Sequence, residues 1–347
     1  MKKRLFSIIT IAIMFISIIS LSGCNKKEDN KKLKIVTSNF PSFDLARAVV
    51  KDNKNIDLKM LLKPGSDMHH FDATPKDIKD ILSSDVFIYN GGESDEWIDK
   101  ILKDIDKKKT TVIKLMDLVK VVEEEHVEGM EEEHDHDHDH DHDSDKHDHD
   151  SDKHDHDSDK HDKGHDHDEE EKEYDEHVWT SPVNAKKIVS SIKEAMIKKD
   201  AKNKNIYEKS ASEYISELDK IDNEFKEIVK NAKRKEIVFG DRFPLRYFVD
   251  TYGLKYSAAF PGCSEETEAS AKTIKFLVNK VKDNKIPVVF HIELSDKKIA
   301  SSIAKETGAK VLEFKTAHNL SQKDFDKGIT YLDIMKDNIK VLKEALN

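Results

Sequence analysis

Residues 33–62 read LKIVTSNFPSFDLARAVVKDNKNIDLKMLL. Leu33–Thr37 and Ile56–Leu62 are short runs rich in aliphatic and β-branched residues, and a helical pattern lies between them, so the order strand, helix, strand is legible. That order is the building unit of a parallel sheet. Downstream, Val86–Tyr89 and Val112–Leu115 read as further strands, and Thr74-Pro75 opens an intervening helix with Thr as N-cap and Pro in the first turn. The pattern starts again after residue 235, with strands at Glu236–Phe239, Lys255–Phe260, Val288–Ile292 and Val311–Phe314 and a closing helix from about Asp326 to Leu346. The predicted fold is α/β: two lobes, each a parallel four-stranded sheet flanked by helices.

Between the two sets of strands, Ser181-Pro182 is expected to cap a first helix. A second carries Tyr207, Ala211, Tyr214, Ile215, Leu218, Ile221, Phe225, Ile228 and Val229 at offsets that keep one apolar face. About 25 helical residues span roughly 38 Å at about 1.5 Å each, enough to run the height of both lobes. Such a single long helix would join the lobes, with a ligand cleft between them.

The chain opens with Met1-Lys2-Lys3-Arg4, an apolar run from Leu5 to Leu21, and then Leu21-Ser22-Gly23-Cys24. A basic start, an apolar stretch and small residues describe a secretory signal. The last four residues resemble the bacterial lipobox, whose Cys becomes the acylated first residue after cleavage. The expected division is therefore a signal peptide at 1–23 and a lipid-anchored tether at 24–32. A first lobe follows at 33–181, then linking helices at 182–235 and a second lobe at 236–347. Residues 25–32 (NKKEDNKK) contain nothing that could join a core. Acylation of Cys24 leaves Cys263 alone, so stability must come from hydrophobic cores without a disulfide. Cys263, in Pro261-Gly262-Cys263-Ser264, reads as a small buried thiol rather than a ligand.

The net charge of -11 conceals an uneven distribution, since residues 123–176 hold 28 Asp and Glu against 5 Lys. Outside that segment the chain is basic, but its Lys and Arg are dispersed among acidic residues and form no aromatic-studded face. Nucleic-acid binding has no support in this pattern. Within the segment, His-Asp-His-Asp-Ser-Asp-Lys occurs three times in succession from His140 to Lys160. No position of the repeat is apolar, so a coiled-coil seam is impossible and the stretch 123–174 reads as a disordered loop of the first lobe. Its histidines, His134, His136, His138, His140, His142, His147, His149, His154, His156, His161, His165 and His167, alternate with carboxylates that concentrate cations. The segment reads as an auxiliary metal-collecting loop.

Histidines outside the loop fall just beyond expected strand ends, the edge at which open α/β sheets bind ligands. They are His69 in Pro64-Gly65-Ser66-Asp67-Met68-His69, His177 in His177-Val178-Trp179-Thr180-Ser181-Pro182, and His318 in Thr316-Ala317-His318. Asp241, His291 and Glu293 stand at the same edge as less favoured candidates. His70 is not expected to ligate, because adjacent side chains point in different directions. No His-Glu-x-x-His, nucleophile elbow or phosphate-binding Gly loop supports catalysis.

The combination of Pro-Gly-Ser-Asp-Met-His69, an acidic His-rich insertion and His177-Val-Trp-Thr-Ser-Pro resembles the zinc- and manganese-type, cluster A-I, substrate-binding lipoproteins of ABC transporters. The resemblance covers almost the whole chain after the signal. It implies a non-catalytic, extracytoplasmic protein, monomeric and anchored to the bilayer through acylated Cys24, that delivers a divalent cation to an ABC permease and its ATPase. His69 and His177 match the family's first two metal ligands. The third family position falls at Gly240, which has no side chain to offer, and the fourth, an Asp, has no counterpart near Lys315–His318. His318 is therefore expected as the replacement. A site of His69, His177 and His318 is nitrogen-rich and suits Zn2+ better than Mn2+.

Overall fold

The computed structural model describes residues 32–51, 53–130, 173–264 and 268–347. The signal, Cys24 with most of its tether, and the loop histidines from His134 to His167 lie outside these residues. The first lobe runs β1 (Leu33–Thr37), α1 (Phe40–Val50), β2 (Ile56–Met60), α2 (Pro75–Leu82), β3 (Val86–Tyr89), α3 (Trp97–Leu102) and β4 (Thr111–Lys114). Helices α4 (Pro182–Lys199) and α5 (Lys204–Lys230) follow. The second lobe runs β5 (Glu236–Arg242), α6 (Arg246–Tyr252), β6 (Lys255–Phe260), α7 (Ala271–Asp283), β7 (Val288–His291), α8 (Lys298–Thr307) and β8 (Lys310–Glu313), closed by α9 (Gln322–Asp326) and α10 (Tyr331–Leu346).

Each sheet is four-stranded, ordered β2-β1-β3-β4 in one lobe and β6-β5-β7-β8 in the other, with every pairing parallel. Side chains alternate across a strand, and the alternation sorts the cores. Ile35, Val86 and Ile88 of the first sheet face inward to the same continuous core as Ile237, Phe239, Val288 and Phe290 of the second. Val36, Phe87 and Tyr89 turn outward to a separate cluster with Ile81 of α2 and Ile98 of α3. Val238 and Val289 do the same with Leu277 of α7 and Ile303 of α8. The lobes thus share one central core and own one outer layer each.

The shared core is bridged by α5, 27 residues long and so about 40 Å. It packs on α1, α4 and α10, burying Tyr207, Ala211, Leu218, Ile221, Phe225 and Val229. A side chain such as Leu218, fully withdrawn from water, contributes about 1.5–3 kcal/mol. Direct polar ties add to the bridge: the Tyr331 backbone N–H donates to Asp44 Oδ2 at 2.7 Å, and Arg47 donates to the Ile329 carbonyl at 3.1 Å.

Three local features differ from the sequence expectation. The closing helix starts at Tyr331 instead of about Asp326 and is preceded by the short α9: Gly328, at φ 73°, ends the turn after α9, and Thr330 starts α10 in a capping box with Asp333. Ser181 stands at the N-cap of α4, yet its hydroxyl is paired with Thr251 Oγ1 at 2.8 Å instead of an amide of the first turn. Strand β5 continues past Phe239 to Arg242 through a register shift at Gly240-Asp241. Thr74 caps α2 as expected, sharing a capping box with Asp77.

Candidate metal centre

The carboxyl ends of the strands from both lobes converge on one cluster. His69 comes from the loop after β2, His177 from the 3₁₀ turn leading into α4, and His318 from the loop after β8. One ligating atom from each ring lies within 4.8 Å of the other two. The ring centres stand 5.8 Å apart for His69–His177, 5.1 Å for His69–His318 and 4.8 Å for His177–His318. Trp179 closes the back of the cluster, its ring edge-on to both His177 and His318 at 5.5 Å.

The Nε2 atoms of all three rings are buried and make no hydrogen bond. Their orientation is set from the other side of each ring. A carboxylate only accepts, so His177 Nδ1, 3.2 Å from Asp175 Oδ1, keeps its proton, and in the neutral ring Nε2 is the atom with the free lone pair. His69 Nδ1 stands 2.7 Å from Ser94 Oγ, and that hydroxyl makes a short hydrogen bond to Glu176 Oε1. With the hydroxyl donating to the carboxylate, its oxygen accepts from His69 Nδ1–H, and Nε2 again is the bare atom. Oriented rings of this kind are how proteins prepare imidazole for a metal.

His318 is placed through its backbone. Its N–H donates to Glu293 Oε1 at 2.9 Å, while Glu293 also accepts from the Thr316 N–H at 2.7 Å and the Thr316 hydroxyl at 2.8 Å. Trp179 Nε1–H donates to the Thr316 carbonyl at 2.9 Å, pinning the loop to the turn that carries His177. Held this way, Ala317 adopts φ 61°, a costly conformation for a residue with a Cβ. The loop is also tied to the His69 loop: Asn319 donates to the carbonyls of Lys63 and Ser66, and the Gly65 N–H donates to the Leu320 carbonyl at 2.7 Å.

Electrostatics favour neutral rings at two of the three positions. Burial, then the charge of His177, pushes His69 down to about 3. Burial followed by His177 and His69 holds His318 well below the usual histidine range. His177 is raised: burial acts against its charge, but Asp175 and Glu176 outweigh it. Glu176 is pushed up to about 7 by burial, with His177 and Ser94 pulling the other way.

Of the less favoured sequence candidates, none joins this cluster. Asp241 accepts the Ile292 N–H at 3.2 Å and the Arg242 N–H at 2.9 Å, and His291 Nδ1–H donates to the Ile292 carbonyl at 2.8 Å. Glu293 shapes the His318 loop. Asp241 and Glu293 do line a cleft of about 370 Å³ that reaches His318. At its mouth Arg242 pairs with Asp67 at 2.9 Å, linking one lobe to the other. Gly240 has its own reason to be glycine. A Cβ there would lie 2.5 Å from the Ala300 backbone, so close packing of β5 on α8 excludes any side chain. Ser94, Asp175 and Glu176 were not singled out in the sequence. Asp175 and Glu176 adjoin His177, but Ser94 sits in an unmarked turn after β3.

Two α/β lobes with a histidine centre where their strand ends meet are the build of a solute-binding protein for a metal ion. The chain belongs to the family described as zinc-uptake complex component A, periplasmic, whose model matches residues 35–345. It is 31% identical to the high-affinity zinc uptake system protein ZnuA of Bacillus subtilis over 100% of this chain and 99% of that one. It is 30% identical to the zinc-binding lipoprotein AdcA of Streptococcus pneumoniae over 99% of this chain and 61% of that protein. Among solved structures, the Zn(II)-bound ZnuA-like domain of that AdcA superposes with a TM-score of 0.68 at 26% identity, covering 91% of this chain and 99% of the other. The metal-dependent lipoprotein YcdH of Bacillus subtilis gives 0.69 at 28% identity over 91% of this chain and 99% of the other.

Proposed function

We propose that this chain captures Zn2+ outside the cytoplasm on the Nε2 atoms of His69, His177 and His318 and hands it to an ABC permease driven by its ATPase. The observation that carries the assignment is the convergence of three buried, unpartnered ring nitrogens. Leaving a buried polar atom unsatisfied costs about 1–3 kcal/mol, and three at one point are a poor arrangement unless a ligand satisfies them together. Zinc holds imidazole nitrogens at about 2.0–2.1 Å, which in a tetrahedral set places them roughly 3.3 Å apart. A modest inward movement of the rings is enough. An all-nitrogen donor set suits Zn2+ and serves Mn2+ poorly.

Ligands from both lobes make the loaded protein different from the empty one, which is what a permease needs to distinguish them. The chain acts as a monomer, tethered to the outer face of the membrane through acylated Cys24, with the histidines of the insertion collecting ions weakly nearby. Binding, not catalysis, is the role.

X-ray absorption at the zinc edge of protein loaded with one equivalent tests the reading. Expected is a first shell dominated by imidazole nitrogen at about 2.0–2.1 Å, with ring outer-shell scattering. A shell of carboxylate oxygens would contradict it.

A further inference from the structure

A second group of metal-binding atoms shares one residue with the three-histidine set. His69, Glu176 and Cys263 each offer one ligating atom, all within 4.8 Å of one another. Glu176 is buried and its Oε1 lies 3.5 Å from His69 Nδ1. Cys263 is half-buried and carried by the segment after β6. That segment is pressed against the site: a Cβ on Gly262 would stand 3.3 Å from His177 Cε1 and 3.2 Å from the Phe243 carbonyl. The sequence context made Cys263 a plain buried thiol, whereas its position beside His69 and Glu176 is that of a potential ligand.

The surroundings of the thiol are acidic. Burial and then the charges of Glu176, Glu124, Asp175 and Glu93 push its pKa far up, so without a cation the sulfur stays protonated. A divalent cation reverses that balance. It satisfies the carboxylates and drives off the thiol proton, since a metal-bound Cys is a thiolate. The position also lies toward the insertion: the Cys263 N–H donates to Glu124 Oε1 at 3.2 Å, and Glu124 is in the strand-like stem where residues 122–124 meet 173–175.

We infer that His69, Glu176 and Cys263 form a second, thiolate-containing position for a thiophilic divalent cation, alternative to the three-histidine position because the His69 Nδ1 that faces Glu176 ligates only when the ring proton moves to Nε2, the atom the three-histidine position uses. On binding, the metal–sulfur bond forms and the thiol proton leaves to solvent. An ion displaced from His318 therefore has a place to go without leaving His69.

Cobalt(II) tests this with the full chain, because thiolate gives a near-ultraviolet charge-transfer absorption that imidazole and carboxylate do not. In His318→Ala, whose three-histidine set is broken, this absorption is expected to appear on adding Co(II). It should be lost in His318→Ala/Cys263→Ser and reduced severalfold in His318→Ala/Glu176→Gln. His318→Gln serves the same purpose if the Ala variant does not fold. Absence of a cysteine-dependent band in a folded His318 variant would overturn the proposal. That outcome would leave the three-histidine assignment standing, because zinc-edge spectra of the parent test it separately.

Discussion

One carboxylate oxygen of Asp175, Oδ1, accepts both the backbone N–H of His177 at 2.8 Å and its ring Nδ1–H at 3.2 Å. This pair fixes the ring and makes it the one imidazole of the three that holds a proton well. Burial depresses His69 to about 3 and His318 well below the usual range, so both are neutral at ordinary pH. His177 alone is raised. Below the His177 pKa, loading the tight site should therefore displace one proton per zinc. The logarithm of apparent affinity should climb about one unit per pH unit between roughly pH 6 and the His177 pKa and then level off. Chelator competition at several pH values measures it. In Asp175→Asn the levelling should come at lower pH, with affinity at high pH reduced about 10–100-fold. A slope near three in the parent would mean that all three rings are ordinary.

The depressed His69 also has a consequence for the metal-free protein. The unfolded ring takes up its proton near the ordinary value of 6.5, the folded one only near 3. Its contribution to stability is thus complete above pH 6.5 and is lost as pH falls toward 3, at a limiting slope of about 1.4 kcal/mol per pH unit. Other buried groups titrate in the same window with the opposite sign, Glu176 among them, so the comparison must be with a variant. His69→Gln should lose less stability than the parent between pH 6.5 and 5.5, by up to about 1.4 kcal/mol in metal-free denaturant unfolding. Parallel curves for the two proteins would remove the ring from the linkage.

Ser94 is a positioning residue. Its hydroxyl joins His69 Nδ1 to Glu176, and Ser94→Ala leaves that ring without its partner. Zinc affinity should fall about 10–100-fold with little change in melting temperature. Isothermal titration of the metal-free variant gives the answer, and an unchanged affinity would show that packing and Glu176, 3.5 Å from Nδ1, orient His69 without it.

Glycine at 240 is a packing requirement, so restoring a side chain there should harm the fold without adding a ligand. With the Ala300 backbone 2.5 Å from the missing Cβ, Gly240→Ala should destabilise by about 1–3 kcal/mol. Gly240→His should be worse still and gain no zinc affinity. Thermal unfolding and zinc titration together check both statements.

Much of this was legible in the sequence, and the exceptions have physical reasons. Runs such as Leu33–Thr37, Val86–Tyr89 and Lys255–Phe260 matched their strands to the residue, because a parallel sheet covered on both faces writes its strands as near-continuous runs of aliphatic, β-branched and aromatic residues. The closing helix ended at Leu346 as expected but began at Tyr331, because Gly328 and Thr330 turn the chain where the apolar spacing runs on without a break. His318 was reached only by its place after the last strand. Ser94 had no signal at all, since a serine in a turn acquires its role from what the topology brings opposite it. The same holds for Cys263, which is 194 positions from His69 in the chain yet beside it in space.

The stem that carries the insertion closes on itself, with the Glu124 N–H donating to the Glu173 carbonyl at 3.0 Å and Glu123 bridged to Tyr174. Replacing residues 131–172 by a short Gly-Ser linker should therefore be tolerated. One tight zinc equivalent should remain while weak equivalents disappear, as read by calorimetry. Loss of the tight equivalent in a folded deletion protein would place part of the site in the insertion.

The most direct measurement is zinc affinity by chelator competition in the parent, His318→Ala and His291→Ala. Both substituted histidines are buried and lie at strand ends of the same lobe, but only His318 turns an unpartnered Nε2 toward His69 and His177. Expected is a loss of at least about tenfold, or about 1.4 kcal/mol, for His318→Ala and a much smaller change for His291→Ala. Parent-like affinity in folded His318→Ala, with the loss appearing instead in His291→Ala, would contradict the three-histidine centre.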